Sequence, residues 1–158
     1  MGFWDSLKQA FGEGYEEERA GAPLDLHLDA MTLAARADRE VTDHELTRIA
    51  TLLRRHLHVF SAESEESVTQ RLRTSGQRLD RQGDEQAQFS HTTAALVRAG
   101  GVACHEAYAL AYAVLLSDEG LNDSERAFAE RLAQALGLSG EERRQIERDL
   151  DSAMQVVP

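Results

Sequence analysis

The sequence predicts an all-α protein, a compact bundle of seven to eight helices that forms a single domain over residues 1–158. Leu and Ala greatly outnumber Val and Ile, and the only prolines are Pro23 and Pro158, so no proline interrupts a helix between them. In addition, no run of residues alternates apolar and polar side chains in the way that a half-buried strand would.

The first half of the sequence predicts three helices. The first spans residues 24–37, and the second opens at Thr42 and Glu45, which have the spacing of a capping box. A polar, exposed helix is predicted to start near Ser61 and to end at the sequence RQGDEQ. The apolar stripes of the first two helices are Leu24, Leu28, Met31 and Ala35, then Leu46, Ile49, Leu53 and Leu57.

The second half predicts four more helices. A helix over residues 86–99 ends at a Gly-Gly pair, and the strongly apolar CHEAYALAYAVLL that follows is the expected centre of the bundle. Gly137 can terminate the next helix, and Ser139 opens the last one with another capping box, SGEE. The helix before Gly137 has an apolar stripe of Phe128, Leu132 and Leu136.

Composition and charge restrict the function of the chain. A formal net charge of −11 opposes binding to nucleic acid and favours cations or basic faces of other proteins as partners. The single cysteine, Cys104, cannot form a disulfide within the chain and suits a reducing compartment. No apolar run approaches the roughly 20 residues that span a bilayer, and no secretory signal opens the chain. We therefore expect a cytoplasmic protein.

Two acidic stretches, ADREVTDHE (residues 37–45) and SDEGLNDSE (residues 117–125), share one pattern 80 residues apart. Each lies between an apolar helix and a capped helix. The sequence therefore predicts two related helix pairs, residues 24–57 and 103–136, with both acidic turns at one end of the bundle. The matched acids are Asp38 with Asp118, Asp43 with Asp123, and Glu45 with Glu125.

These acids allow two interpretations. Helix capping alone explains Glu45 and Glu125, because a carboxylate in the first turn interacts favourably with the helix dipole. Asp38 and Asp118 instead follow the C-terminal end of a helix, where the dipole disfavours negative charge, and a hard cation would offset that repulsion. Ca²⁺ and Mg²⁺ prefer oxygen ligands and are favoured over Zn²⁺. The candidate metal ligands are Asp38, Glu45, Asp118 and Glu125, with Asp43 and Asp123 close by.

Three stretches are similar to one protein family in order and spacing: MGFWDSLKQAFGEGYEE, AARADREVTDHEL and LLSDEGLNDSERAFAERLAQALGLS. Through them the sequence resembles the tellurite-resistance TerB family. The resemblance implies a helical bundle with an internal duplication. It also implies a divalent metal site formed by Asp38, Glu45, Asp118 and Glu125. It also implies a role in bacterial tellurite and chemical-stress resistance at the inner face of the inner membrane, with an integral membrane partner of the TerC type. Where the family pattern has glycine after each first aspartate, this sequence has Arg39 and Glu119.

The leading hypothesis for function is a non-enzymatic module that binds divalent metal and connects to a stress-resistance assembly. The alternatives are a metal-dependent hydrolase, in which the same carboxylates would hold a metal-bound water, and an interaction scaffold without metal. No G-x-S-x-G, phosphate loop or H-E-x-x-H motif is present, so no catalytic residue is predicted.

Residues 1–20 form an amphipathic segment ahead of the first predicted helix. Its apolar side chains are spaced to share one helical face, which we expect to pack on the bundle; weak docking on a membrane or on a partner protein is the alternative. These side chains are Phe3, Trp4, Leu7 and Phe11.

Overall fold

A computed structural model describes residues 24–37, 41–56, 60, 62–116 and 121–156. These residues form seven α-helices and no β-strand, which confirms the all-α prediction. The amphipathic segment at the start of the chain lies outside the described residues, so its packing stays a prediction. The helices are α1 (Leu24–Ala35), α2 (Asp43–His56), α3 (Glu65–Asp80), α4 (Glu85–Ala99), α5 (Gly101–Leu116), α6 (Asp123–Ala135) and α7 (Gly140–Val156).

Helix α5 is the centre of the bundle, as its sequence predicts. All of its residues from Ala103 to Leu115 are buried except His105, which is half-buried. Helices α1, α4, α6 and α7 all pack against α5, so apolar side chains are covered on every side of it. The numerous alanines of α5 allow these neighbours to approach closely. Helix α1 makes the most extensive of these contacts.

Helices α2 and α3 form an antiparallel pair on one side of α1. At one end of the pair Arg73 lies against Asp43, and at the other end Glu65 lies against Thr51. From Asp43 to Thr51 the chain of α2 advances by eight residues, while the contacted residue in α3 moves back by eight, from Arg73 to Glu65. The two helices therefore run in opposite directions. This arrangement brings the middle of α3 alongside the turn that precedes α2, which is the first acidic turn.

Helix α3 differs from its predicted form, because one face of it is buried. Val68, Leu72 and Leu79 are at most 2% exposed, and α3 packs against both α1 and α2. The helix also begins at Glu65, with Ser64 as its N-cap, rather than near Ser61. The sequence of α3 did not indicate this buried face, because some of the side chains that the face buries are themselves polar.

The polar contact between α1 and α3 is a buried hydrogen-bond network. The Ser75 hydroxyl donates to Asp29 Oδ1 at 2.7 Å and lies 2.9 Å from the Thr32 hydroxyl. Arg78 Nη2 donates to the same Asp29 oxygen at 2.6 Å and to the carbonyl of Asp25 at 3.2 Å. Asp29, Thr32 and Ser75 are all buried. A satisfied network of this kind fixes the register of two helices, because sliding would leave buried polar groups without partners.

The remaining helices surround the other sides of α5. Helices α4 and α6 cross with Phe89 and Phe128 edge to face, their ring centroids 6.0 Å apart, while the Arg131 guanidinium lies 3.9 Å from the centroid of the Phe89 ring. Helix α7 runs parallel to α5, since His105 contacts Glu142 near the start of both helices and Tyr112 contacts Asp151 further along. Ile146 and Leu150 are buried apolar residues of α7.

Candidate functional site

The structure describes four of the six predicted metal ligands. Asp38 and Asp118 lie outside the described residues, so their separation and orientation stay predictions. The other four are at or near the N-termini of α2 and α6, helices that begin 80 positions apart. The helices that precede the two turns, α1 and α5, pack directly against each other. The described candidates are Asp43 and Glu45 in α2, and Asp123 and Glu125 in α6.

The second acidic turn ends in a complete capping box. The Asn122 side chain accepts a hydrogen bond from the backbone N–H of Glu125 at 2.8 Å. In return the Glu125 carboxylate accepts one from the backbone N–H of Asn122 at 3.1 Å. Glu125 is only 8% exposed, whereas Asp123 is exposed. The Glu125 side chain is therefore held in a defined orientation by its own helix start.

The first acidic turn is capped by Thr42, whose hydroxyl accepts a hydrogen bond from the backbone N–H of Glu45 at 3.2 Å. Glu45 is partly buried, like its counterpart in the second turn, although less completely. Asp43 forms an ion pair with Arg73 of α3, with 3.1 Å between Nη2 and Oδ1. The Asp43 side chain nevertheless remains 84% exposed. A cation at this turn would share Asp43 with an arginine.

The first acidic turn has positively charged neighbours. Arg73 is in contact with one of its acids, and the sequence adds Arg39 next to Asp38. Across the parts of the chain that the structure describes, no three His, Cys, Asp or Glu side chains come together as a metal-holding group.

Two buried ionisable side chains were not singled out by the sequence analysis. His27 of α1 is fully buried, and its Nε2 lies 3.7 Å from Oε2 of Glu106 in α5, which is 5% exposed. One sequence signal could have identified this pair, since Glu106 is the only acid within the apolar CHEAYALAYAVLL. The contact joins the two helices that lead into the acidic turns.

Burial sets the protonation of His27. It lowers the pKa of the His27 imidazole from 6.5 to about 4, so the ring is neutral at pH 7 in the folded protein. In the unfolded chain the ring takes up a proton at higher pH than in the folded one. The contribution of His27 to the free energy of unfolding is therefore fully present above pH 6.5, and it decreases as the pH falls toward 4.

Cys104 has the surroundings of a structural thiol. Its side chain is buried and donates a weak hydrogen bond to the carbonyl of Leu96, with 3.6 Å between sulfur and oxygen. Burial raises the pKa of the thiol, which keeps it protonated at neutral pH. Because nucleophilic and redox chemistry require the thiolate, the local geometry favours a packing role for this cysteine.

None of the described helices combines the length and the hydrophobicity that crossing a bilayer requires.

The described residues form an all-α module centred on α5, in which the starts of α2 and α6 carry acids in matching positions. A family model described as "Tellurite resistance protein TerB" matches residues 28–148 of this chain. The chain belongs to the TerB family, and it is a tellurite-resistance-related module. This match confirms the resemblance noted in the sequence. Comparisons with curated proteins and with solved structures give no match.

Proposed function

We propose that this chain is a non-enzymatic TerB module that binds a divalent cation through its two acidic turns and joins a stress-resistance assembly. The main support is the equivalence of the turns. Glu45 and Glu125 occupy the same position in helices that begin 80 residues apart, and the two preceding helices pack against each other. Capping explains these two glutamates, but it gives no reason for an aspartate in the sequence shortly after each preceding helix.

The chemistry of the donors suits a hard cation. All six candidates supply carboxylate oxygens, which Ca²⁺ and Mg²⁺ prefer, and no Cys or His is required. Asp38, Glu45, Asp118 and Glu125 would bind the ion, with Asp43 and Asp123 contributing negative charge nearby. The capping hydrogen bond from Asn122 to Glu125 would orient that carboxylate, as outer-shell donors orient ligands in metal sites.

We place the module in the cytoplasm, at the inner face of the membrane, with a TerC-type integral membrane protein as its partner. Family membership supports this part of the proposal. The amphipathic segment in residues 1–20 would add weak membrane contact of its own. A non-enzymatic role is favoured because the sequence offers no general base or nucleophile constellation beside the acids.

Titration calorimetry of metal-free protein with Ca²⁺, Mg²⁺, Mn²⁺ and Zn²⁺ tests the cation proposal. We expect Asp118→Asn to weaken binding by at least tenfold, or about 1.4 kcal/mol, because it removes a ligand that capping does not explain. Asp38→Asn should have a smaller effect, since Arg39 already lies beside that aspartate. Glu130→Gln on the exposed face of α6 is the control for loss of one negative charge.

The cation proposal also predicts thermal stabilisation by the bound ion, which Asp118→Asn should largely remove. Unchanged binding in Asp118→Asn, together with a more stable metal-free protein, would mean that the acids are solvated helix-capping residues. The chain would then act as a metal-free interaction scaffold.

A further inference from the structure

A cleft of about 610 Å³ lies between α1, α3 and the starts of α2 and α4. Its volume is in the range of ligand sites in proteins, about 300–1,000 Å³. The cleft is next to the first acidic turn, but its walls are mainly side chains that the proposed cation site does not use. Four different helices contribute to it, so its shape depends on the packed bundle rather than on a single loop.

One part of the cleft is apolar. Leu72 of α3, which is 2% exposed, lines this part of the cleft, and so do Val41 and Leu46 from the start of α2. Both of these residues are only partly buried, so they would lose further apolar surface to water if an aliphatic group entered the cleft. This part of the cleft suits a short hydrocarbon chain.

Two arginines, Arg73 and Arg36, line the same cleft. Arg73 pairs with Asp43 and Arg36 pairs with Asp80, each at 3.1 Å. The two aspartate side chains are 84% and 63% exposed, and ion pairs this exposed contribute only about 0–1 kcal/mol. A ligand carboxylate could therefore replace either partner, and it could bind a guanidinium with two parallel hydrogen bonds.

A glycine in α3 allows one of these arginines to reach the cleft. A Cβ built on Gly76 would lie 2.7 Å from Nη2 of Arg36, which is closer than real Cβ atoms come to a neighbour. With glycine there, the Arg36 guanidinium lies directly on the surface of α3 and reaches Asp80. Any other residue would displace the guanidinium from this position.

The acids of the cleft determine how a ligand would be oriented. Asp80 and Glu85 line it at the end of α3 and the start of α4 and make that end acidic. Arg73 is instead associated with the start of α2, where Val41 and Leu46 also lie. A carboxylate that displaces Asp43 from Arg73 would therefore lie beside the apolar residues and away from Asp80 and Glu85.

We propose that this cleft binds a small aliphatic carboxylate. The carboxylate pairs with Arg73, displacing Asp43, and the hydrocarbon chain packs on Val41, Leu46 and Leu72. Arg36 supplies a second positive charge that Asp80 partly neutralises. The proposal does not require the cation site, although the two are linked through Asp43, which the ligand would release from Arg73.

Hexanoate is a suitable probe, with 1-hexanol as the uncharged control of the same chain length. Amide resonances in a ¹⁵N-labelled sample would be followed during titration at millimolar ligand without divalent cation. We expect saturable shifts at Leu72, Arg73 and Gly76 with hexanoate, and much weaker ones with hexanol. Arg73→Gln should weaken hexanoate binding about tenfold, as expected for loss of a charge-assisted hydrogen bond.

Arg71→Gln is the matched control, because Arg71 lies on the same helix and pairs with Glu63 outside this cleft. It should leave hexanoate binding unchanged. The proposal is overturned if hexanoate produces no saturable shifts at these residues, if hexanol produces equal ones, or if both arginine variants weaken binding equally. N-acetyl-leucine serves as a second probe: tighter binding than hexanoate would identify the natural carboxylate as the C-terminus of a peptide, and weaker binding as a free acid.

Discussion

Replacement of Arg73 by Gln should strengthen divalent cation binding. In the folded protein the Arg73 guanidinium contacts Asp43, one of the acids of the first turn, at 3.1 Å. An incoming cation must compete with this positive charge for the carboxylate. Without the arginine, Asp43 contributes its full negative charge to the first turn.

The size of this effect follows from the exposure of the pair. The Arg73 side chain is 40% exposed and that of Asp43 is 84% exposed, so water screens most of their attraction. Two unit charges about 4 Å apart in water interact by about 1 kcal/mol, and measured surface pairs contribute about 0–1 kcal/mol. We therefore expect the dissociation constant to fall by up to about fivefold.

Arg71→Gln again provides the control. Arg71 lies two residues away on α3, is 43% exposed, and pairs with Glu63, which is not part of either acidic turn. Each variant changes the formal net charge from −11 to −12, so long-range electrostatic effects are the same in both. Calorimetric titration with Ca²⁺ and Mg²⁺ compares the two variants with the unmodified protein.

The reasoning is refuted if the metal binds the unmodified protein and both arginine variants have the same affinity. Asp43 would then not contribute to cation binding. Absence of binding in all three proteins would instead count against the cation site itself. Low ionic strength is needed in the comparison, because salt screens exposed charge pairs.

Three further predictions concern the rest of the molecule. Urea unfolding between pH 6.5 and 4 should show a loss of stability in the unmodified protein about 3 kcal/mol larger than in His27→Gln, because buried His27 resists protonation; exposed His91→Gln should behave like the unmodified protein, and equal pH dependence in all three would refute the idea. Gly76→Ala should change the unfolding free energy by less than about 1 kcal/mol, since helix propensity offsets the displaced guanidinium; a larger loss would mean that the backbone of α3 must move. Trp4 emission should be blue-shifted, and deletion of residues 1–12 should lower the melting temperature; unshifted emission without loss of stability would indicate a segment that binds elsewhere.

The fold could be predicted from the sequence where the signals are local. An apolar run rich in alanine predicted that α5 is central, because such a segment has no polar side to expose. The role of Glu125 in helix capping was predicted as well, since a capping box depends on residues three apart. The end of α4 at Gly100 agrees with its φ of 115°, which side chains other than glycine rarely adopt.

Long-range polar contacts were not predictable in this way. Helix α3 appeared exposed in the sequence because its buried face includes Ser75, whose partner Asp29 is 46 residues away. The Arg73–Asp43 pair likewise joins residues 30 positions apart, and no local pattern indicates that the two are in contact. The positive charge in contact with the first acidic turn comes from such a contact. The sequence therefore identified the candidate acids but could not show which surrounding charges compete for them.

The buried network between α1 and α3 also restricts how this protein can change during evolution. Asp29 is a buried carboxylate whose charge is balanced by Arg78 and by the hydroxyl of Ser75. Loss of Arg78 would leave the Asp29 carboxylate as an uncompensated buried charge, which typically costs about 3–5 kcal/mol, a large fraction of the stability of a small domain. Relatives that lack Arg78 should therefore also have replaced Asp29, most readily by an uncharged residue. We expect these positions to vary as a group among relatives, whereas the exposed ion pair of Asp43 and Arg73 can be lost one residue at a time.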